Sequence, residues 1–367
     1  MTNRAKRQHT VSRFYLRGFA NTKDQVRRVT IPDETSAILA TSDASVIKDF
    51  YSFELENGTL SDAFEREMST IEAAASRALS QIEIGEWPIA GATRDALSTW
   101  ISLQYLRGED PRASQTELSA QMIRLIVGIS GKDALRSHIE NSLGRKLSDA
   151  EIALEWEDLT KPGGPDLQSD TKLHIRTMLD MWPGVSRYLF DSHWTLIRFK
   201  RKSLVTSDHP VTISVDQNYP NHHGVGVATA DMFSIPLSRR LALNIQPRHR
   251  LERQLGDGNL PDFRVDGTSR ISLSFNQQTT WEARRYVFSH PEDIIDSRIV
   301  FPKQAERSRV RQSDSDHLTL EDGLPMQSST AHSKASLDDA LADGSRGFSL
   351  EDLPWPIPGR LNIAATE

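Results

Sequence analysis

The sequence predicts an α+β protein, in which a helix-rich domain packs on a small antiparallel sheet and a polar C-terminal tail follows. Between about residues 60 and 190, apolar residues recur at spacings of three and four, which is typical of amphipathic helices. Between about residues 193 and 247, short segments rich in Val, Ile, Leu, Thr and Phe alternate with turn residues, as in an antiparallel sheet. From about residue 303 the chain is rich in Ser, Asp, Glu, Ala and Gly and has few large apolar residues.

These zones suggest one globular domain over residues 1–302, with a closing helix at about 268–289. The clearest helix is SDAFEREMSTIEAAASRALSQI, which has one apolar face, and TRDALSTWISLQYLRG follows it. The segments HWTLIRFK, PVTISVD, MFSIPLS and LALNIQP are the predicted strands, and VRRVTI is an earlier one. We expect residues 303–367 to be largely disordered or to dock as an extended strap, because PWPIPG cannot sustain regular structure.

Composition narrows the possible functions. The formal net charge of −6 argues against a nucleic-acid binder that depends on bulk positive charge, although RFKRK and PRHRLER remain as local basic patches. The absence of cysteine excludes disulfides, thiolate chemistry and zinc ribbons. The basic N-terminus lacks the apolar core of a signal peptide, and no apolar run approaches the ~20 residues of a membrane helix, so we expect a cytoplasmic protein without a membrane partner.

The second predicted helix carries polar residues on its apolar side. Leu97, Trp100 and Ile101 form a stripe, and Gln104 falls within about 20° of Leu97 at 100° per residue. Arg107 lies one turn further on, near the same edge. A buried amide costs about 1–3 kcal/mol unless it is hydrogen-bonded. The pair therefore indicates a polar pocket, or else a core amide that the backbone satisfies.

Two further segments contain polar residues that could be functional. In RQHTVSRFYLRGF, Arg13 and Arg17 share a helical face that could grip an anion, and a solvated basic terminus is an equally good interpretation. In TSDHPVTI, Pro210 cannot lie in a central ladder, so Asp208 sits where a strand breaks. A carboxylate there could bind a metal or activate a neighbour, or it could simply cap a turn. The familiar catalytic signatures GxSxG, HExxH, Walker A and GxGxxG are absent.

Seven segments in order give the chain a family resemblance: QHTVSRFYLRGFA, VIKDFYSFE, STIEAAA, LQYLRGEDPR, LVTSDHPVTI, FSIPLSRRLALNI and FNQQTTWEARRYVFS. Together they resemble the bacterial DUF4238 family, whose members are uncharacterised, over about residues 8–290. One departure is that Thr10-Val11-Ser12 stands where the family pattern has Val-Pro after its opening histidine. The resemblance implies no reaction, but it marks six polar motif positions that one pocket would explain: His9, Glu72, Gln104, Arg107, Asp208 and Asn276.

One hypothesis is a metal-assisted phosphodiester hydrolase that resembles a nuclease. Asp208 and Glu72 would hold a divalent metal such as Mg²⁺ or Mn²⁺, and His9 would act as general base or acid. The basic patches would guide a nucleic-acid backbone. The substrate-binding residues would be Arg17, Gln104, Arg107 and Asn276.

Two alternatives remain open. The protein could be a non-catalytic binding module for a small anionic ligand or a partner protein, with the same Arg and Gln residues as contacts. The polar positions could also form a buried hydrogen-bond network that fixes the packing of the helices on the sheet. The sequence leaves the oligomeric state open.

Overall fold

A computed structural model describes residues 7–31, 33–48, 53–54, 60–61, 63–168, 171–216, 225–302, 349–357 and 360. These residues divide between two compact units. The first unit draws on residues 1–111 and 171–309, and the second on residues 112–170 and 310–367. The α+β prediction is confirmed, because helices and antiparallel strands both form the first unit.

The described α-helices are α1 (Arg13–Leu16), α2 (Thr41–Ala44), α3 (Ala63–Glu83), α4 (Gly91–Leu106), α5 (Glu109–Ser130), α6 (Lys132–Leu143), α7 (Asp149–Thr160), α8 (Thr171–Asp191), α9 (Arg248–Leu255) and α10 (Ser269–Glu282). The described strands are β1 (Arg7–His9), β2 (Gln25–Thr30), β3 (Ser36–Ala40), β4 (Val46–Lys48), β5 (Phe53–Glu54), β6 (Leu60–Ser61), β7 (His193–Arg198), β8 (Thr206–Ser207), β9 (Thr212–Ser214), β10 (Met232–Ser238), β11 (Leu241–Gln246), β12 (Phe263–Asp266) and β13 (Tyr286–Ser289).

Two sheets organise the first unit. The larger has the strand order β12-β7-β11-β10-β9, and its edge strand β12 runs parallel to β7 while the other pairs are antiparallel. The smaller sheet has the order β3-β2-β13-β8 and is antiparallel throughout. The predicted strand region at 193–247 is thus divided, since β8 pairs with β13 and not with β9.

The closing helix is shorter than the sequence suggests. It ends at Glu282, because Ala283 takes an extended ψ of 138°. The following segment YVFS, rich in strand-forming residues, pairs with β2 as β13. Helical periodicity alone could not separate the two elements, because both are apolar and partly buried.

The core of the first unit surrounds α4. This helix packs between α3 and α8, and both of its faces are buried, with Leu97, Trp100, Ile101 and Leu103 among its core residues. A helix that contacts neighbours on opposite sides loses the simple amphipathic pattern and places small or polar residues inside. This position brings the polar end of α4 to the N-terminal segment.

The second unit has its own core of helices α5 to α7 and the C-terminal segment 349–357. Leu350, Leu353 and Ile357 are buried among apolar residues of these helices. The guanidinium of Arg360 binds Asp158 and Glu155. This part of the tail packs on the helices and begins with a short 3-10 helix (Leu350–Asp352), while residues 303–348 lie outside the described residues, so the disordered or strap-like tail stays a prediction. In the described part of the chain, no helix is both long and apolar enough to cross a membrane.

Candidate functional site

Ser12 is the centre of a buried polar network beneath α4. Its hydroxyl donates a 2.6 Å hydrogen bond to the carboxylate of Glu72 and accepts bonds of 2.9 Å from Trp100 Nε1 and Arg107 Nη2. Arg107 also donates to Glu72 at 3.3 Å. The Ser12 and Arg107 side chains are buried, so each bond replaces one that water would otherwise make.

Gln104 links this network to the N-terminal strand. Its Oε1 accepts a hydrogen bond from Arg107, and its Nε2 donates to the backbone carbonyl of Thr10 at 3.1 Å. The predicted position on the apolar stripe is correct, because Gln104 is only 2% exposed. The neighbouring His9 places Nδ1 3.4 Å from the hydroxyl of Ser45. Three predicted residues, Glu72, Gln104 and Arg107, thus meet in one network.

The Asp208 carboxylate binds the backbone at the start of β13. Its two carboxylate oxygens accept hydrogen bonds from the backbone N–H groups of Arg284 (2.8 Å), Arg285 (2.6 Å) and Tyr286 (3.2 Å). In return, the Asp208 N–H donates to the Tyr286 carbonyl at 3.0 Å. The strand break in TSDHP therefore orders the turn between α10 and β13.

A small recess lies between the Asp208 turn and the N-terminal network. It is lined by Thr10, Gly108, Asp208, His209 and the segment 284–286. Its volume of about 10 Å³ admits about one water molecule. Of the predicted site residues, Asp208 alone lines this recess, so the structure does not bring the six motif positions around it.

Asn276 lies elsewhere, on α10, and holds the chain that precedes β8. Its Oδ1 accepts from the Val205 N–H and its Nδ2 donates to the Ser203 carbonyl, both at 3.0 Å. The Asn276 side-chain amide therefore makes the two hydrogen bonds to the backbone of residues 203 and 205 that a neighbouring strand would otherwise make. Val205 and Asn276 are both buried, so water cannot easily take its place.

Arg17 and Arg13 face a carboxylate of this chain. Arg13 donates to Asp24 at 2.7 Å, and Arg17 does so at 3.3 Å. Burial alone would raise the pKa of Asp24, but hydrogen bonds from Arg13, Thr41 and Arg17 outweigh it and hold that pKa below its usual value. The sequence suggested that Arg13 and Arg17 could bind an anion, and in the structure both bind the carboxylate of Asp24.

The proposed metal ligands have other partners. Glu72 is bound by Ser12 and Arg107, and Asp208 by the three backbone amides described above. Among the described residues, no group of three or more His, Asp or Glu side chains is arranged to hold a metal ion. The metal assignment of Asp208 and Glu72 stays a prediction.

The two basic segments differ in what their side chains do. In PRHRLER, Arg248 donates to the carbonyls of Asp191, Gly258 and Leu260, while Arg250 pairs with Asp231. These arginines hold the start of α9 in place. In RFKRK, Lys200 pairs with Asp266 at 2.5 Å. The first residue of that segment, Arg198, instead lines a cavity.

We call this space the arginine cavity; its charged and hydroxyl-bearing lining consists of Glu83, Arg198, Ser238, Arg240 and Arg264. Its volume is about 170 Å³, several times the ~30 Å³ that a water molecule occupies in the liquid. Glu83, Arg198 and Arg264 are exposed at its rim, whereas Arg240 is half-buried. Within the described chain, the three guanidinium groups have no hydrogen-bond or ion-pair partner. The Nη1 atom of Arg240 is buried and likewise unpaired.

The sheet register explains why two of these arginines converge. Leu196 and Arg198 lie on one face of β7, and Arg264 of β12 is the partner of Leu196. Arg198 lies two residues along β7 from Leu196, and Arg264 lies on the neighbouring strand opposite Leu196. The Cα atoms of Arg198 and Arg264 are therefore about 8 Å apart. Leu241, the partner of Arg198 on β11, completes the apolar floor.

The turn that carries Arg240 is fixed by backbone bonds on three sides. Arg239 and Arg240 connect β10 to β11. The Arg239 N–H donates to the Gly18 carbonyl at 2.8 Å, and the Arg239 and Arg240 carbonyls accept from Leu204 (2.9 Å) and Phe199 (2.8 Å). The Arg239 side chain forms a two-bond ion pair with Asp293. Its neighbour Arg240 is left without such a partner in the described residues.

β12 is anchored just before Arg264 by a buried ion pair. The carboxylate of Asp262 binds Arg94 of α4 and accepts the Trp194 N–H at 2.8 Å. Arg94 also donates to the carbonyls of Phe190 and Ser192. Burial lowers the pKa of the Arg94 guanidinium, and the charge of Asp262 opposes this effect.

A protein-family model described as a protein of unknown function (DUF4238) matches residues 7–293 of the chain. The chain belongs to the DUF4238 family. No curated protein and no solved structure matches it. The resemblance inferred from seven motifs is thus confirmed, and the family match extends over almost all of the first unit.

In this DUF4238 chain, two residues of the opening motif, Tyr15 and Gly18, contact β10, the strand that leads into the turn of Arg239 and Arg240 (the arginine turn). The hydroxyl of Tyr15 hydrogen-bonds to Thr206 at 2.7 Å and donates to the Pro236 carbonyl on β10. Burial raises the pKa of this phenol well above its usual value, so it stays neutral. Gly18 approaches Ser238 so closely that a Cβ would lie 3.0 Å from that side chain.

Sequence reasoning missed two parts of the candidate site. Ser12 lies in the segment that departs from the family pattern, and a lone buried serine carries no periodic signal. Arg198, Arg240 and Arg264 are distant in sequence, and each lies in a segment where an exposed arginine is ordinary. The cross-strand register alone brings them together, so no local pattern could have revealed them.

Proposed function

We propose that this DUF4238 protein is a non-catalytic binding module for a small anionic ligand, and that the ligand occupies the arginine cavity. The observation that carries the proposal is the presence of three guanidinium groups around one cavity without a carboxylate bonded to any of them among the described residues. Guanidinium groups match carboxylate and phosphate oxygens in charge and in geometry.

The charge balance of the cavity favours an anion. The lining contains three guanidinium groups and one carboxylate, that of Glu83; Asp266, which does not line the cavity, is bound to Lys200, and the charges of Lys200, Arg264 and Arg198 together lower its pKa. Like charges held close together repel one another, and a bound anion relieves that repulsion. The apolar floor formed by Leu196 and Leu241 limits the access of water from below and strengthens each remaining electrostatic contact.

The cavity is built before any ligand arrives. The Arg239-Arg240 turn has three backbone anchors, and the Asp262–Arg94 ion pair fixes the strand of Arg264. A site whose groups are already ordered loses less conformational entropy on binding. The buried network around Ser12 contributes rigidity in this scheme and has no catalytic role.

The test is thermal stabilisation by inorganic phosphate, with chloride at equal ionic strength as the reference. A ligand that binds only the folded state raises Tm, by the equivalent of about 2.7 kcal/mol at a hundred times Kd. We expect a rise for the wild-type chain and for R270A, which removes an exposed arginine of α10, but none for R240A. An equal rise in R240A would reject the proposal, since general salt effects would then explain it.

A second candidate is a phosphodiester hydrolase in which Ser12 is the nucleophile and Glu72 its base, and not a metal ligand as the sequence suggested; one observation favours it. The Ser12 hydroxyl lies 2.6 Å from the Glu72 carboxylate and 2.9 Å from the Arg107 guanidinium, so a base and a cation flank a potential nucleophile. Ser12 has no exposed surface, so a substrate would require the N-terminal segment to open. The purified chain, incubated with RNA and DNA in Mg²⁺ or Mn²⁺, would then release nucleotides, and S12A and E72Q would not.

A further inference from the structure

The lining of the arginine cavity also contains a hydrogen-bond acceptor. Glu83 is the last residue of α3 and lines the cavity together with the arginines. Among the described residues it has no hydrogen-bond or ion-pair partner. An ionised carboxylate only accepts hydrogen bonds, so a ligand that satisfies it must bring a donor.

Ser238 supplies a second polar group beside the arginines. It is 7% exposed, and its hydroxyl has no side-chain partner within the described chain. A hydroxyl both donates and accepts, so it can bind either the anion or a neighbouring polar group. The lining thus combines cationic groups with groups that accept a hydrogen bond.

The donor that faces Glu83 is best provided by a neutral group. An ammonium would pair with the carboxylate but would lie close to Arg198, Arg240 and Arg264, which repel it. An alcohol makes the same hydrogen bond without that repulsion. Although Glu83 is exposed at the rim, partial desolvation by the surrounding atoms raises the pKa of its carboxyl.

The volume limits the size of the ligand. About 170 Å³ lies below the roughly 300–1,000 Å³ of typical sites for drug-sized ligands. A phosphate group with a few carbon atoms is of the right order, whereas a polynucleotide would need an open groove. The acceptor Glu83 also favours a phosphate ester that carries a hydroxyl over a bare oxyanion, which has no donor for it.

We infer that the arginine cavity takes a small phosphate monoester that carries a free hydroxyl, with the phosphate on Arg198, Arg240 and Arg264 and the hydroxyl donating to Glu83. This inference rests on the proposed anion-binding function. It assigns the phosphate of the ligand to the three arginines and its hydroxyl to Glu83 of the same cavity. A role for Glu83 in folding alone would not depend on the ligand's hydroxyl.

The experiment compares two phosphate monoesters that differ in their hydroxyl groups. Glycerol phosphate and propyl phosphate are titrated into the wild-type chain by calorimetry. A hydrogen bond to a charged group contributes about 1.5–3 kcal/mol, so we expect glycerol phosphate to bind roughly ten to a hundred times more tightly. E83A should erase this preference and, because it removes a negative charge, should bind propyl phosphate more tightly than the wild type does.

The controls distinguish a failure of the phosphate-monoester inference from a failure of the proposed anion-binding function. E86A removes an exposed glutamate three residues away that does not line the cavity, and it should behave as the wild type. Equal affinities for both esters in the wild type, or a preference that survives in E83A, would overturn the inference and leave anion binding intact. If neither ester nor inorganic phosphate binds, or if R240A binds all three normally, the proposed function fails as well.

Discussion

The amide N–H of Leu204 donates a 2.9 Å hydrogen bond to the carbonyl of Arg239, and this bond joins the chain that Asn276 holds to the turn that carries Arg240. Asn276 binds the residues on both sides of Leu204, namely Ser203 and Val205. Asn276 is thus connected to the turn of Arg239 and Arg240 through the segment that precedes β8. Asn276 is a positioning residue in this arrangement.

Replacing Asn276 with alanine should destabilise the protein by about 1–3 kcal/mol, because it leaves the buried Val205 N–H and the half-buried Ser203 carbonyl without this partner. Urea denaturation measures this loss. Q277A is the matched control, since Gln277 makes the same pair of bonds to the backbone of the exposed Val300. We expect it to cost less than about 1 kcal/mol, because water can replace those bonds. Equal losses in the two variants would contradict the argument from burial.

Replacing Gly18 with alanine should weaken the packing of the N-terminal segment on the arginine turn. The added Cβ would lie 3.0 Å from Ser238 Cβ and 3.2 Å from the Leu237 carbonyl oxygen. Overpacking of this kind costs about 1–3 kcal/mol, and it should also reduce phosphate binding. At Gly184, inside α8, a Cβ would meet nothing within 4 Å beyond its own helical turns, so G184A should be neutral or stabilising by up to about 1 kcal/mol. Chemical denaturation of both variants tests the contrast.

Replacing Arg107 with methionine should disrupt the Ser12 network. It removes donors to Ser12, Glu72 and Gln104, and the side chain is 2% exposed. We expect a loss of about 2–4 kcal/mol, toward the low end because Glu72 can regain water. R270M, at an exposed arginine, should change stability by less than about 0.5 kcal/mol. A stable, folded R107M would show that the network serves something other than packing.

The ion pair between Asp293 and Arg239 predicts a dependence of stability on pH. Burial alone would raise the pKa of Asp293, but hydrogen bonds from Arg239 and Ser203 outweigh it and leave that pKa below its usual value. Stability from a lowered carboxyl pKa is present above the unfolded value, about 3.9, and is lost as pH falls through the folded pKa. The difference in unfolding free energy between wild type and D293N should therefore shrink below about pH 4. A difference that stays constant from neutral pH into this acid range would contradict the assignment.

Replacing Arg360 with alanine should loosen the C-terminal segment of the second unit. Arg360 donates to Asp158 at 2.9 Å and pairs with Glu155, and its side chain is 7% exposed. Removal of one partner from a buried ion pair costs about 3–5 kcal/mol, although Lys161 still neutralises Asp158 here. Hydrogen exchange should become faster in α7 and in residues 349–357, while β7 and β11 keep their protection. Unchanged exchange in α7 would mean that the apolar anchors hold the segment alone.

Local patterns in the sequence determined the helices of the first unit and the burial of individual residues. The three-and-four spacing places α3 and α4 correctly, and the stripe through Leu97 correctly buries Gln104. These features depend on residues within a few turns of one another, so periodicity carries them. The end of α10 was missed because Asp208, distant in sequence, captures the amides of residues 284–286.

The sequence by itself determined the α+β class, the family and the set of polar motif positions, because each can be recognised from residue periodicity, composition or short motifs. Only the tertiary structure decided what those positions do. Asp208 and Asn276 bind backbone, and Glu72 with Arg107 closes around Ser12. The arginine cavity was likewise invisible, because Arg198, Arg240 and Arg264 meet only through the register of three strands and one turn. Register is set by long-range pairing, which no short stretch of sequence specifies.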